Sequence, residues 1–439
     1  VVCGFTGPVL GGIRADLATQ PALLPEGFGR RLDRAPDAAK PAPWKPLGSR
    51  FEIGADFPGR RGTMQWCAFA GAAGGLYLAS HDAAHGAKTL CLRHDPATKT
   101  YGFAIKHRVF VASGGRWAMP PAVIAPYEGT WHAAARRYRA WADTVAEPMQ
   151  PPAWAADASG WLLAILKQQN GEVMWDYASL GALCDVADAR GLDILGLFGW
   201  AHGGHDHLYP EYRPDPLMGG ETALRAGLAE SRRRGKRTIL YANGQLQEFG
   251  TEFWEKRGRA LTVIGRDGEP VLQTYHKYRT TPPFRFGLGC LLAREWYDLM
   301  LGLAVQANDL GADGILYDQL GIFEPMPCYA AGHGHPVPAV VYAEDRVRFL
   351  RRIAEHMRKV NPDFIVMTEG LHDTVLDSTA MFHGCTLGTF EVTGEEVLGW
   401  IGRKGASAVF PEMFRATYPE VASTIRMPKI GRASCRERV

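Results

Sequence analysis

From Gly160 onward the chain repeats one unit: a short apolar run, a helix-length amphipathic segment, then another apolar run. This alternation constrains the fold most, because successive parallel strands need a crossover long enough to hold a helix. Gly160-Trp-Leu-Leu-Ala-Ile-Leu166 is the first expected strand. A helix around Leu180, Leu183 and Cys184 ends at Gly191, and residues 193–200 form the second strand. A helix over 221–234, with Leu224 and Leu228 inward, precedes a third strand at 237–243. After a long insertion rich in aromatics, Arg and Gly, Trp296, Leu299, Met300, Leu303, Ala307 and Leu310 make one apolar helical stripe. The fourth strand follows it and ends at Asp318, and a helix with Val347, Leu350, Ile353 and Met357 inward leads to a fifth at 363–369. Weaker candidates lie at 382–391 and 407–412. The expected class is α/β: a (β/α)8 (TIM) barrel over 153–429, truncated at its C-terminal end with its last unit missing. The alternative is a doubly wound open sheet, but no glycine-rich phosphate fingerprint follows the first strand.

The preceding residues have a different period. Residues 1–49 carry Ala, Pro, Gly and Arg without sustained periodicity. Over 50–127 short alternating runs such as Met64-Gln-Trp-Cys-Ala-Phe69 and Tyr101-Gly-Phe-Ala-Ile105 are separated by turn residues, the pattern of an antiparallel β-sandwich. Residues 128–152 read as a linker helix, with Trp131, Ala135, Tyr138 and Trp141 on one face, closed by Pro148, Pro151 and Pro152.

The last ten residues, Ile430-Gly-Arg-Ala-Ser-Cys-Arg-Glu-Arg-Val439, match one frame of a short-read sequencing adapter and are read as read-through. The chain carries 49 basic and 46 acidic residues; without that tail they are 46 and 45, close to balance. Such a charge points away from nucleic acid, and no apolar run is long enough to span a bilayer. Cys3, Cys67, Cys91, Cys184, Cys290, Cys328 and Cys385 show no C-x-x-C spacing, so free buried thiols are expected rather than disulfides or zinc, with a lean toward a cytoplasmic setting. The start at Val1 leaves room for a missing signal peptide.

The residues that carry chemistry cluster at expected strand ends. In Gly311-Ala-Asp-Gly-Ile-Leu-Tyr-Asp-Gln-Leu-Gly321, alternation puts Gly314, Leu316 and Asp318 on one face, and Asp318 ends the strand at the rim where barrels hold catalytic groups. Glu369 ends the next strand. Two carboxyls on adjacent strand ends fall about 5–5.5 Å apart, the separation of a retaining glycosidase. Asp318 is then the nucleophile and Glu369 the general acid/base, with Met367 helping to desolvate Glu369. Trp200, His202, His205 and Asp206, on the glycine-rich loop after the second strand, suit stacking on a sugar and hydrogen bonding to its hydroxyls. Lys167, Asn243, Tyr317, Gln319, Glu391, Glu412 and Arg415 are further candidates for substrate contact. No cofactor and no metal is expected. The rivals are a metal-dependent barrel hydrolase using the His-rich loops (His202, His205, His207, or His333 and His335) and a non-catalytic carbohydrate-binding protein. A carbohydrate is the expected partner; oligomeric state is open.

Five segments carry a family resemblance: the linker helix Trp131-His-Ala-Ala-Ala-Arg-Arg-Tyr-Arg-Ala-Trp141, Gly203-Gly-His-Asp206, residues 311–321, Thr368-Glu-Gly370 and Phe414-Arg-Ala-Thr-Tyr-Pro419. With the order sandwich, linker helix, barrel, the chain resembles the bacterial glycosidase-like family of domain of unknown function 6259 over about residues 50–420. More distantly it is similar to α-retaining glycosidases of the α-amylase and endo-α-N-acetylgalactosaminidase types. Those use an Asp after strand four and a Glu after strand five, which the resemblance carries onto Asp318 and Glu369. The Arg of the α-amylase pattern two residues before the nucleophile is replaced by Leu316.

Overall fold

The computed structural model describes residues 2–37, 43–279, 281–386 and 411–426. Two five-stranded antiparallel sheets form the N-terminal part. One runs in the order Val2–Ile13, Thr100–Val111, Lys88–Asp95, Arg50–Phe57, Lys45–Leu47, and the other Ala122–Glu128, Gly74–Ser80, Trp66–Ala70, Ala22–Leu24, Arg30–Leu32. The sandwich therefore starts well before residue 50. The N-terminal residues, aperiodic as a string, include a long edge strand whose register shifts three times, which erases the two-residue period.

The second sheet is buried on both faces, and its alternation divides it between two cores. Cys67, Phe69 and Leu78 pack into the sandwich interior, while Trp66, Ala68, Tyr77 and Ala79 join the core shared with the linker helix and the parallel sheet. The linker helix, His132–Ala142, buries Ala134, Ala135 and Tyr138.

The C-terminal part is a seven-stranded parallel sheet whose spatial order is its chain order: Trp161–Ile165, Ile194–Phe198, Arg237–Asn243, Gly314–Asp318, Ile365–Glu369, Met381–Thr386 and Ala422–Arg426. The helices Leu180–Asp188, Gly220–Arg233, Arg294–Leu310 and Glu344–Val360 fill the crossovers. A doubly wound sheet reverses direction at a switch point, and this one does not. The sheet also curls. Trp161 on the first strand and His383 on the sixth have ring centroids 4.6 Å apart, where a flat sheet would separate them by about 24 Å. The first five strands lie where expected, and the sixth at the start of the 382–391 candidate. The seventh is Ala422–Arg426; the 407–412 candidate falls mostly outside the described residues, and 411–412 are not strand.

Register places the inward residues in layers. Gly314 pairs with Ile239 and Ile365, Leu316 with Tyr241 and Met367, and Asn243 pairs with Asp318. A Cβ at Gly314 would lie 2.7 Å from both isoleucine side chains, so glycine lets the two branched residues meet inside the curl. No described helix is long and apolar enough to cross a membrane.

Candidate active site

Asp318 and Glu369 end the fourth and fifth strands on the inward face, half-buried, and near enough that Glu369 raises the Asp318 carboxyl. Tyr241 Oη donates to Asp318 Oδ2 at 2.9 Å, and Asn243 Nδ2 lies 3.4 Å from the same oxygen. The Gln319 amide donates to Glu369 Oε2 at 3.2 Å from a left-handed backbone (φ 63°). Gly384 on the sixth strand makes room for Glu369: a Cβ there would lie 3.1 Å from its Cγ. Burial, then Glu369, then Asp206 push the Asp318 carboxyl well above the usual carboxylate range, against the Tyr241 hydrogen bond. Neighbouring carboxyls oppose each other's ionisation, so Asp318 keeps its proton to higher pH than a free carboxyl. Burial, then the Asp318 charge, raises Tyr241 far above 10 and keeps it a donor.

Around this pair stand Asp206, His205, Tyr275 and Lys277. Gln319 Nε2 donates to Tyr275 Oη at 2.6 Å. Lys277 forms an ion pair with Asp206. Burial opposes the Asp206 charge, but His205 and Lys277 outweigh it and hold Asp206 below its ordinary range. The His205 ring packs edge-on against Phe198 and Tyr241 at 5.4 and 5.0 Å, and burial lowers it to about 4, so it is neutral at pH 7.

Several expected contacts point elsewhere. Trp200 is buried, its Nε1 donating to the Tyr241 carbonyl at 2.8 Å and its ring stacked on Tyr212, so it offers no face to a sugar. The turn at Gly199 (φ 59°) breaks the strand alternation just before it. Lys167 is consumed by Asp215 at 2.6 Å and the His202 carbonyl at 2.7 Å. His202 turns to Arg213 and Glu211, and His207 to Glu248 at 2.9 Å. Tyr317 faces the helix layer and donates to the Met300 carbonyl at 2.6 Å. Glu412 and Arg415 pair loosely at 3.9 Å, at a short helix packed against the linker helix and Phe28. Glu391 and the 430–439 tail lie outside the described residues.

The sequence reading missed Tyr241, Tyr275 and Lys277. Tyr241 had a signal, since it lies two residues before Asn243 on one strand. Tyr275 and Lys277 reach the site only because the insertion after the third strand folds back as a small antiparallel sheet of Leu246–Glu248, Phe284–Leu288 and Leu272–Tyr275. Cys67, Cys91, Cys184, Cys290 and Cys328 are buried and form no disulfide. Among the described residues the His-rich loop after the second strand makes no metal-ligand cluster; the one such cluster is Cys290, Cys328, His333 and His335.

The fold, a curled parallel sheet preceded by antiparallel sheets, is shared with solved glycosidases. An α-N-acetylgalactosaminidase from Bifidobacterium bifidum superposes with TM-score 0.70 at 14% identity, covering 96% of this chain and 66% of that one. A Geobacillus stearothermophilus α-galactosidase gives 0.56 at 11% identity, covering 98% and 61%. The chain belongs to the family described as domain of unknown function DUF6259, whose profile matches residues 119–425. A provisionally named glycoside hydrolase of Bacteroides thetaiotaomicron is 24% identical over 333 residues, 71% of this chain. The chain spans 44% of that relative's length.

Proposed function

We propose that this chain carries the active site of a retaining glycoside hydrolase acting on an α-linked, galacto-configured sugar. The observation that carries the reading is the placement of Asp318 and Glu369 at adjacent strand ends in register, near enough for Glu369 to raise Asp318. An inverting enzyme keeps its carboxyls about 6.5–9.5 Å apart to hold a water between them; carboxyls this near favour direct attack by one of them. Tyr241 and Asn243 donate to Asp318 against the burial and neighbouring charges that raise it, and they stabilise its anion once a sugar separates the two carboxyls. Asp318 then attacks the anomeric carbon as Glu369 protonates the leaving oxygen, and Glu369 later draws a proton from water to release the sugar. A sugar entering between them separates the carboxyls. Asp206, Lys277, Gln319 and Tyr275 line the approach as hydroxyl partners. The galacto preference rests on the names of the two solved enzymes. The sequential order and curl of the parallel strands favour a (β/α)8 barrel as the complete catalytic unit, preceded by the sandwich and linker helix.

The test is hydrolysis of p-nitrophenyl α-N-acetylgalactosaminide and α-galactoside, with the product anomer followed by NMR. Retention is expected, with Asp318→Ala at least about 10³-fold slower and still binding the sugar. Sugar binding without turnover in the parent chain would favour the carbohydrate-binding alternative. Full activity in both Asp318→Ala and Glu369→Ala would sink the dyad.

A further inference from the structure

Away from the carboxyl pair, four soft ligands converge from segments distant in sequence. Cys290 follows Phe284–Leu288 in the third-strand insertion, Cys328 ends Met326–Cys328 in the loop after the fourth strand, and His333 and His335 lie just beyond it. One ligand atom from each lies within 4.8 Å of all the others. A tetrahedral zinc site with bonds of about 2.0–2.3 Å has edges of about 3.3–3.8 Å, so a contraction of roughly 1 Å completes it. Cys328 Sγ and His333 Nδ1 are already 3.7 Å apart.

The surroundings are those of a ligand set. His333 Nε2 lies 2.8 Å from the Ala260 carbonyl, which can only accept, so Nε2 carries the proton and Nδ1 presents its lone pair to the sulfur. His335 Nδ1 likewise faces the Pro336 carbonyl at 2.7 Å, leaving Nε2 unprotonated. That Nε2 is buried and has no hydrogen-bond partner. Four ligands of this type, two sulfur and two nitrogen, suit zinc and exclude oxygen-seeking calcium and magnesium.

We propose that Cys290, Cys328, His333 and His335 bind one zinc ion in a closed structural site that fastens the third-strand insertion to the loop after the fourth strand. Binding replaces the Cys290 S–H contact to Cys328 with two zinc–thiolate bonds, and the thiol protons go to solvent. With all four positions filled by protein the ion takes no part in catalysis. Its effect on the active site is indirect: the fastened insertion carries Tyr275 and Lys277 to the Asp318 rim.

The experiment is zinc content by mass spectrometry on the full chain, purified under reducing conditions without chelator. About one zinc per chain is expected in the parent and in Cys184→Ala, and at least a five-fold drop in Cys328→Ser and His333→Ala. Replacement by cobalt should give the visible bands and thiolate charge transfer of a tetrahedral S2N2 site. If the variants fail to fold, the parent's stoichiometry and cobalt spectrum still decide. A parent with under about 0.1 zinc that also gives no cobalt bands overturns the proposal. So does a Cys290–Cys328 disulfide in protein expressed with zinc.

Discussion

Asp318 sits where burial and two neighbouring carboxyls oppose its charge, so its folded pKa stands well above the ordinary 3.8. Such a group binds more protons in the folded chain than in the unfolded one. Its contribution to stability is complete below the unfolded pKa and is lost as pH rises through the folded value. Asp318→Asn removes that liability. It should melt higher than the parent at pH 7, match it near pH 3.5, and lose hydrolysis. Thermal denaturation at the two pH values checks this, and equal melting at pH 7 would count against a raised Asp318.

Elements are fastened to one another by buried polar groups. Arg346, in the helix Glu344–Val360, is fully buried, and its guanidinium donates to the carbonyls of Leu320 at 3.0 Å, Phe323 at 2.9 Å, Pro58 at 3.0 Å and Tyr342. It thus joins the loop just past Asp318 to the sandwich. Arg346→Ala strands these acceptors and should cost about 3–5 kcal/mol in urea unfolding; a loss under about 1 kcal/mol would mean that water replaces the guanidinium. The linker helix is held differently, by Tyr138 donating to Asp373. Burial raises Asp373 to about 7, with Tyr138 and Lys88 pulling against it. Its contribution to stability is therefore present near pH 3.8 and lost as pH rises through about 7. Asp373→Asn keeps an acceptor for Tyr138 and should gain on the parent between pH 4 and pH 8, read from paired melting curves. A pH-independent difference would place the titration elsewhere.

For the whole molecule the curl of the parallel sheet brings the active-site strands around one axis, and it rests on a few aromatic contacts. Trp161 packs against His383 and against Phe198 at 6.0 Å. A Cβ at Gly196 would lie 2.4 Å from the Trp161 ring, so the second strand has space for that ring only because residue 196 is glycine. Gly196→Val should displace Trp161, cost about 1–3 kcal/mol or more, and loosen the closure that faces Glu369 toward Asp318. The expected signature is a lower melting point together with a fall in kcat, and unchanged melting would show that the curl does not depend on Trp161.

The first five parallel strands, the helices between them and the two rim carboxyls were legible in the chain itself. Each rests on a local period: two residues for strands, about three and a half for helices, and a polar group where an apolar run stops. Asp318 and Glu369 meet because parallel strands in register carry equal numbers of residues to the same rim. Tertiary structure decided what local period does not reach. Gly199 turns the chain out of alternation, so Trp200 became core while Asp206, seven residues past that turn, came back toward the cleft. Tyr275 and Lys277 depend on how a long insertion folds back. Cys290 meets Cys328 and the two histidines only through packing of two loops, and no spacing along the chain encodes a contact made across the fold.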